Sequence, residues 1–241
     1  MIRYRTFRML PLLTAVLLVG LAACQPEAAA RDIVRLPAPA MDAATPAAVR
    51  SEVAVFAGGC FWGIEAVFEH VKGVHKVTAG YSGGSAATAH YEMVGTGSTG
   101  HAESVKVEFD PSQVSYGTLL QVLFSVALNP TERNRQGPDS GTQYRSVIFY
   151  GNPEQQKVAS AYIAQLTSAK AFAAPIATQL VPLKAFYPAE DYHQHYFDLH
   201  PDNPYIVIND APKVVHLHKL FPALYQSGRE PDQQVVEVTL H

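Results

Sequence analysis

A continuous apolar run, a glycine pair, a cysteine and a helical pattern follow one another between residues 53 and 73. The run Val53-Ala54-Val55-Phe56-Ala57 is typical of a strand buried on both faces, and Gly58-Gly59 ends it. Apolar residues then recur at helical spacing, at Ile64, Val67, Phe68 and Val71. This pattern predicts a helix from near Cys60 to near Gly73, packed on the sheet that contains the strand.

The rest of the folded region mixes strands and helices without the regular alternation of a βαβ protein. Alternating Val105, Val107 and Phe109 predict a strand within residues 101–111. Further strands are predicted over 144–150 and 176–183. Helices are predicted over 115–127 with Ser115 as N-cap, from Asn152-Pro153 to about Leu166, and over 214–221. The sequence therefore predicts a single α+β domain, a two-layer sandwich with helices packed on a mixed β-sheet.

Composition and charge narrow the classes of function. The chain has 241 residues, of which 48% are hydrophobic and 16% charged, as in a globular protein. Its net charge of −3 gives no electrostatic reason to expect a nucleic-acid partner. Only two cysteines are present, Cys24 and Cys60, which excludes a disulfide-rich scaffold and a four-cysteine zinc site.

The N-terminal residues carry the pattern of an export signal. Three arginines within the first eight residues precede an uncharged, mostly apolar run over 9–23. The run is short for a membrane-spanning helix and ends in Leu21-Ala22-Ala23-Cys24, where small residues precede a cysteine. This pattern predicts a bacterial lipoprotein signal with lipidation of Cys24. An ordinary secretory signal cut after Ala23 and an uncleaved anchor are the alternatives.

Four segments follow from this interpretation. They are a lipoprotein signal peptide over 1–23, a lipidated N-terminus with an Ala/Pro-rich, extended tether over 24–50, the folded domain over 51–225, and a polar tail over 226–241. We expect an exported lipoprotein of the bacterial cell envelope, facing the periplasm and held to the membrane by its lipid. With Cys24 acylated, Cys60 is the one free thiol, and an unpaired cysteine in an exported protein indicates a reactive group.

The chemistry is predicted to centre on Cys60. A helix N-terminus lowers the pKa of a cysteine because its unpaired N–H groups favour the thiolate, which is the nucleophile. Phe61 and Trp62 follow on the first turn and are candidate walls for an apolar part of the substrate. The alternatives are that Cys60 is a small buried hydrophobe and that the two aromatic side chains only pack in the core.

Glu103 is placed by strand alternation. It lies two residues before Val105, on the apolar side of the predicted strand. Desolvation there would raise the pKa of its carboxyl and favour a neutral acid that donates a proton. The alternative is a position beyond the end of the strand, in water. His193 and His195 are two residues apart, which does not fit one face of a metal-binding helix, so no metal site is predicted and a structural or surface role is expected for them.

Five ordered motifs resemble one known family. They are Gly59-Cys60-Phe61-Trp62-Gly63, Gly80-Tyr81-Ser82-Gly83-Gly84, Gly100-His101-Ala102-Glu103, Asp139-Ser140-Gly141-Thr142-Gln143-Tyr144-Arg145-Ser146 and Ala189-Glu190-Asp191-Tyr192-His193-Gln194. These resemble the signatures of the A-type peptide-methionine sulfoxide reductases, and the resemblance spans about residues 52–222. It implies that residues 51–225 are a catalytic domain that reduces the S epimer of methionine sulfoxide, free or in proteins.

The resemblance also implies roles for the site residues. Cys60 would attack the sulfoxide sulfur and become a sulfenic acid, while Phe61 and Trp62 hold the substrate methyl group. Glu103 would give a proton to the oxygen. The residues that would assist Glu103 or order the site are Tyr91, Asp139 and Tyr144. No bound cofactor is implied, the expected partners are oxidised methionine and a reductant, and a monomer is the expectation.

The chain departs from many relatives at the recycling step. Such relatives carry resolving cysteines near the C-terminus, whereas residues 197–241 contain none. We therefore expect a single-cysteine enzyme whose sulfenic acid is reduced by an external thiol, either a thioredoxin-like or glutaredoxin-like protein or a small thiol. His195 also replaces a glutamine that is common in the family after the last motif.

Three other functions compete with this interpretation. Cys60 with His101 or His193 as a base would make a cysteine hydrolase, which needs no reductant. A non-catalytic lipoprotein could bind methionine-rich ligands at Phe61 and Trp62. A peroxidase would use the same thiol on peroxide. The order of the motifs favours the reductase over all three.

Overall fold

The structure is a computed structural model that describes residue 1, residues 34–44 and residues 49–227. The strands are β1 (Glu52–Ala57), β2 (Val74–Ser82), β3 (Ala102–Phe109), β4 (Arg135–Gln136), β5 (Asp139–Ser140), β6 (Val147–Tyr150), β7 (Gln179–Pro182) and β8 (Phe186–Pro188). The helices are α1 (Phe61–Glu69), α2 (Tyr91–Val94), α3 (Tyr116–Val122), α4 (Pro153–Ser168), α5 (Tyr196–Leu199) and α6 (Ala211–Leu220). Two π-helical turns, Leu123–Ala127 and Ile206–Asp210, extend α3 and lead into α6.

One mixed sheet organises these elements. Its strand order is β7-β6-β1-β3-β2-β8, antiparallel throughout except for the parallel pair β6 and β7. The main apolar cluster lies between this sheet and α1, α3 and α4, and a smaller cluster around Val55 and Phe149 covers the opposite face of the strands. The predicted two-layer α+β domain with a mixed sheet is therefore confirmed.

The predicted strand, glycine turn and helix are present around Cys60. Strand β1 lies between β3 and β6, and Gly58 allows close packing because a Cβ atom there would lie 2.5 Å from Leu128 Cδ2. Gly59 has a φ of +95°, which favours glycine, and its N–H donates to the Tyr144 carbonyl at 3.2 Å. Helix α1 ends at Glu69 rather than near Gly73, because Val71 leaves the helix and forms a bridge with Tyr225.

The helix starts predicted at Ser115 and at Asn152 are capped by side chains. Ser115 Oγ accepts the Thr118 N–H at 3.1 Å, and Asn152 Oδ1 accepts the Gln155 N–H at 2.8 Å, with Pro153 in the first turn of α4. The strands predicted over 144–150 and 176–183 are shorter than expected, since residues 142–144 form a 3-10 turn and β7 covers only Gln179–Pro182.

The sequence analysis missed β2, the longest strand of the sheet. Its pairing with β3 shifts between Val74 and Lys76, so the apolar residues of this segment do not alternate regularly. Its far end runs into Gly83-Gly84, which by itself is typical of a turn. Strand β2 is held in the sheet by pairing with both β3 and β8, which local periodicity does not register.

Part of the segment predicted as a free tether packs on the domain. Residues 34–44 form neither helix nor strand, and Leu36 is only 7% exposed and belongs to the main apolar cluster. Gln121 Nε2 donates to the Leu36 carbonyl at 2.5 Å, and the Tyr162 hydroxyl donates to the Pro37 carbonyl at 2.8 Å. This segment, named the strap, therefore spans α3 and α4.

Three predictions about the termini concern residues that the structure does not describe. The signal peptide over 1–23, the lipidation of Cys24 and most of the polar tail lie outside the described residues. Among the helices of the described part, none is both long and apolar enough to cross a membrane.

The strap also caps α3. The Asp42 carboxylate accepts the Gly117 N–H at 2.8 Å and a hydrogen bond from the Ser115 hydroxyl. We expect Asp42→Ala to lower the free energy of unfolding by about 0.5–2 kcal/mol, because it removes an acceptor and a negative charge from a helix N-terminus. Chemical denaturation of the full-length chain measures this. Asp202→Ala is the control, since Asp202 is exposed; an equal loss in both variants would contradict the capping role.

Candidate active site

Cys60 is the N-cap residue of α1 and is 9% exposed. Burial raises the pKa of its thiol well above the usual value, and the negative charges of Glu103 and Asp210 raise it further. A hydrogen bond from the Trp62 N–H and the charge of Lys213 oppose this shift but are weaker. The predicted lowering of the Cys60 pKa by the helix N-terminus is therefore wrong for the ligand-free site, because desolvation outweighs the helix.

Glu103 lies on the apolar face of β3 and is 2% exposed, as strand alternation predicts. Its Oε2 accepts the Phe61 N–H at 3.1 Å, and its carboxyl lies close enough to the Cys60 thiol for each group to shift the pKa of the other. Burial raises the pKa of Glu103 to about 8, against the effect of the Phe61 N–H, and the charge of Asp139 adds to the rise. At neutral pH this carboxyl is therefore mostly a neutral acid beside a neutral thiol.

The two aromatic residues after Cys60 occupy different positions. Phe61 is fully buried, so its ring belongs to the main apolar cluster and not to the exposed surface of the site. Trp62 is half-buried; its ring stacks on Tyr196 at 3.7 Å with an angle of 7°, and its Nε1 donates to His193 Nδ1 at 3.2 Å. Of this pair, only Trp62 presents an apolar surface to solvent.

Three more residues predicted for the site lie within electrostatic range of the thiol and the acid. Burial raises the pKa values of Tyr91 and Tyr144, and the charges of Glu103 and Cys60 contribute to both. Asp139, at the start of β5, raises the same two pKa values. The structure therefore brings Tyr91, Asp139 and Tyr144 together with Cys60 and Glu103.

Sequence reasoning missed two residues near the site. They are Tyr205, which precedes the π-helical turn Ile206–Asp210, and Asp210, which ends that turn. The Tyr205 hydroxyl donates to Asp139 Oδ2, and the Tyr205 ring lies edge-on to Trp62 at 5.9 Å. Asp210 is fully buried, and its Oδ1 accepts from Lys213 Nζ at 3.0 Å. No spacing signal links either residue to Cys60, because both approach the site from a region far along the chain.

Gly63 records the close approach of Asp210 to α1. A Cβ atom at this position would lie 2.1 Å from Asp210 Oδ1. Packing therefore requires a glycine at the end of the first motif. Gly63 is the feature of the sequence around Cys60 that reflects the nearby position of Asp210.

His193 was expected to be structural or on the surface, and it is a buried residue that is 2% exposed. Its ring packs 5.0 Å from Phe61 and 4.3 Å from Tyr91, measured between centroids. Glu190, in the same motif, accepts the Tyr91 N–H at 2.9 Å and the Tyr81 hydroxyl at 2.8 Å. The last motif therefore holds the aromatic residues of the site in place.

The hydrogen bonds of the histidines argue against a hydrolase with a histidine base. His101 bonds the Gly84 N–H at 3.2 Å and the Ser85 carbonyl at 2.9 Å. His193 Nδ1 is taken by Trp62. Glu103 is the first of the neighbouring side chains whose charge shifts the pKa of Cys60, and its raised pKa makes it an acid suited to protonating an oxygen rather than a base of the usual cysteine hydrolase type.

Comparison with known proteins identifies the family. The family model for peptide methionine sulfoxide reductase matches residues 52–223. Peptide methionine sulfoxide reductase MsrA 2 of Mesorhizobium japonicum is 62% identical over 179 residues, which cover 74% of this chain and 92% of the relative. Peptide methionine sulfoxide reductase MsrA of Pasteurella multocida is 47% identical over 176 residues, which cover 73% of this chain and 99% of the relative.

Solved structures agree in fold. Reduced Mxr1 from Saccharomyces cerevisiae has a TM-score of 0.55 and 32% identity, covering 64% of this chain and 88% of the other. Methionine sulfoxide reductase A of Corynebacterium diphtheriae has a TM-score of 0.55 and 34% identity, covering 64% of this chain and 77% of the other.

These matches place the chain among the oxidoreductases. It belongs to the peptide methionine sulfoxide reductase family, and it is an enzyme that reduces methionine sulfoxide. The family implied by the five motifs is thereby confirmed.

The raised pKa of Glu103 makes a testable contribution to stability. In the folded chain, Glu103 keeps its proton up to a pH of about 8, whereas an unburied glutamic acid loses its proton near pH 4.5. The free energy of unfolding therefore falls as the pH rises between these two values. We expect Glu103→Gln, whose amide oxygen still accepts the Phe61 N–H, to raise the free energy of unfolding more at pH 8.5 than at pH 5, with a difference on the order of 1–3 kcal/mol.

Urea denaturation at the two pH values gives this difference. Glu108→Gln is the matched control, because Glu108 lies on the same strand but is half exposed and paired with Lys106. The control should show no such pH-dependent gain. A Glu103→Gln effect that is independent of pH would mean that Glu103 is ionised across this range.

Proposed function

We propose that Cys60 reduces the S epimer of methionine sulfoxide, free and in proteins, through a sulfenic acid. The observation that carries this proposal is the buried Cys60 thiol beside the buried Glu103 carboxyl, which is held at the first turn of α1 by the Phe61 N–H and has its pKa raised to about 8. Reduction of a sulfoxide needs a sulfur nucleophile and a proton for the departing oxygen. Cys60 and Glu103 supply these two groups side by side.

Substrate binding is assigned to the aromatic residues around the thiol. The exposed face of Trp62 would hold the substrate methyl group, with Phe61 packed behind it. Tyr91 and Tyr144 retain their phenolic protons because burial raises their pKa values, so both hydroxyls can donate to the sulfoxide oxygen. Asp139 accepts the hydrogen bond of the Tyr205 hydroxyl, and the Tyr205 ring in turn packs edge-on to Trp62.

The reaction balances with these groups alone. The Cys60 sulfur forms a bond to the sulfoxide sulfur while the oxygen takes a proton from Glu103. Transfer of the hydroxyl to Cys60 then releases methionine and leaves Cys60 as a sulfenic acid, so the substrate sulfur is reduced and the cysteine sulfur is oxidised by two electrons.

The raised pKa of Cys60 is compatible with this chemistry. Before substrate binds, both neighbours are neutral, because desolvation by burial disfavours the charged form of each and the charge of Glu103 raises the pKa of Cys60 further. Once Glu103 gives its proton to the substrate oxygen, its carboxylate is placed to take the proton from the Cys60 thiol. The nucleophile is therefore generated only when a sulfoxide is bound, which protects the resting thiol from oxidation.

Regeneration of Cys60 is assigned to an external thiol. Residues 197–241 contain no cysteine, and Cys24 belongs to the lipoprotein pattern, so this is a single-cysteine form. One thiol would condense with the sulfenic acid and release water, and a second would release Cys60 and form the external disulfide. A thioredoxin-like protein, a glutaredoxin-like protein or a small thiol could supply both.

The N-terminal pattern supports a place in the bacterial envelope. We propose that residues 1–23 are a signal peptide, that Cys24 carries the lipid, and that the enzyme repairs oxidised proteins facing the periplasm. Leu36, the strap residue that enters the main apolar cluster, follows Cys24 by twelve positions. A chain of this length reaches about 40 Å at most, which would keep the enzyme close to the membrane surface.

Resolved epimers of a blocked methionine sulfoxide test the reaction. With dithiothreitol as reductant, we expect the full-length chain to convert the S epimer only, as followed by chromatography of the methionine product. Cys60→Ser should abolish turnover, because serine is a far weaker nucleophile. Glu103→Gln should lower kcat by about 10²–10⁴-fold, since it removes the proton donor.

Two controls separate the alternatives. Without reductant, the chain should form about one methionine per Cys60 and then stop, with Cys60 trapped by a sulfenic-acid reagent. A folded chain that turns over neither epimer, or a Cys60→Ser variant that stays active, would overturn the proposed mechanism.

Lipidation is tested separately in a bacterial host. We expect the chain to fractionate with membranes and its N-terminal peptide to carry the mass of the lipid. In Cys24→Ser the lipid mass should be absent, and the chain should be either soluble or anchored only by its signal segment. Mass spectrometry of the N-terminal peptide measures this. An unmodified Cys24 in membrane-bound protein would favour the uncleaved anchor.

A further inference from the structure

Two carboxylates and an imidazole meet on the side of α1 and form a group that the reductase chemistry does not use. Glu65 and Glu69 are four residues apart on α1, so their side chains share one face of the helix. His195 lies just before α5. One ligand atom from each of the three residues lies within 4.8 Å of the other two. We name this group the α1 carboxylate–histidine cluster.

Two buried oxygens in the cluster have no hydrogen-bond partner among the described residues. They are Glu65 Oε1 and Glu69 Oε2. Glu65 is fully buried, and the Glu69 side chain is 10% exposed. An unpaired buried carboxylate oxygen carries a large desolvation cost, so such oxygens are normally satisfied by a donor or an ion.

The other oxygen of each carboxylate contacts His195 and orients it. Glu65 Oε2 accepts the His195 N–H at 3.0 Å, and Glu69 Oε1 lies 2.6 Å from His195 Nδ1. His195 also adopts a left-handed backbone conformation with a φ of +53°. Glu69 therefore holds the His195 ring and Glu65 holds its backbone, whereas the His195 side chain is 49% exposed. An ion can reach the cluster from solvent and keep water as its remaining ligands.

The electrostatics favour a cation. Glu65 and Glu69 bring two carboxylates within 4.8 Å of each other at a site where Glu65 is fully buried and Glu69 is nearly so, and two such negative charges repel unless a positive charge lies between them. Ca²⁺ and Mg²⁺ prefer oxygen ligands alone, whereas a mixed set of carboxylates and imidazole suits a borderline ion such as Zn²⁺. The donor types therefore indicate the class of ion.

We propose that Glu65, Glu69 and His195 bind a divalent transition-metal ion of the Zn²⁺ type. The ion would replace the proton between Glu69 and His195 Nδ1 and would use the unpaired oxygen of Glu65. It would fasten the segment containing His193, which packs against Phe61, to the helix that begins at Cys60. The site is structural and stands independently of the reductase mechanism.

Titration with Zn²⁺ alone tests the site. The full-length chain carries Cys24→Ser and Cys60→Ser, so that no thiol competes for the ion, and calorimetry measures the affinity and stoichiometry. We expect one ion per chain. His195→Gln and Glu69→Gln should each weaken binding by about tenfold or more, since loss of even an outer-shell partner costs 10–100-fold. His90→Gln is the control, because His90 is an exposed histidine outside the cluster, and it should leave the affinity unchanged.

X-ray absorption on the same zinc-loaded chain, with the cluster intact, covers the case in which a cluster variant fails to fold. A coordination shell of nitrogen and oxygen that includes one imidazole supports the site. A shell with two or more imidazoles overturns it. Binding weaker than about 1 mM, or an affinity that His195→Gln leaves unchanged in a folded chain, also overturns it and would assign the cluster to a shared proton.

Discussion

The hydrogen bond from the Phe61 N–H to Glu103 Oε2 is the contact on which the site depends. It ties the first turn of α1 to the middle of the sheet and places a carboxyl against Cys60. Since both groups are almost fully buried, each is forced towards its neutral form by desolvation. The proposed pairing of a nucleophile with a proton donor follows from this one junction between a helix start and a strand.

The aromatic surroundings keep that junction rigid. Trp62 is fixed by stacking on Tyr196, by its hydrogen bond to His193 and by the edge of Tyr205. These partners come from the region after β8, which contributes no strand to the sheet. A half-buried apolar surface is thus held beside the thiol by residues from outside the sheet, and small shifts of this region would move the surface relative to Cys60.

Helix α1 contributes to the thiol site, to the main core and to the α1 carboxylate–histidine cluster. Its N-terminus carries Cys60, its inner face enters the main core, and its second turn presents Glu65 and Glu69 to His195. The segment with His193 and His195 therefore touches both the site and the cluster, so the two are mechanically connected through α1. The strap adds a similar link on the other helices, where residues near the N-terminus complete the cap of α3.

Features that depend on short-range geometry follow from the amino-acid sequence alone. The period of two placed Glu103 on the apolar face of its strand, the period of 3.6 placed the helix after Cys60, and the caps at Ser115 and Asn152 marked the starts of α3 and α4. The five motifs pointed to the family and to the residues proposed for the site. These signals are local because backbone geometry repeats within a few residues.

The burial of those residues, and the distant segments that contact them, depend on the tertiary fold. The rise in the Cys60 pKa depends on burial and on charges from distant segments, so the local helix rule gave the wrong sign. Tyr205, Asp210 and the strap have no spacing relation to the residues they contact, and β2 is defined by its neighbours in the sheet. Desolvation and long-range contacts arise only when separate segments pack together, and no local pattern encodes them.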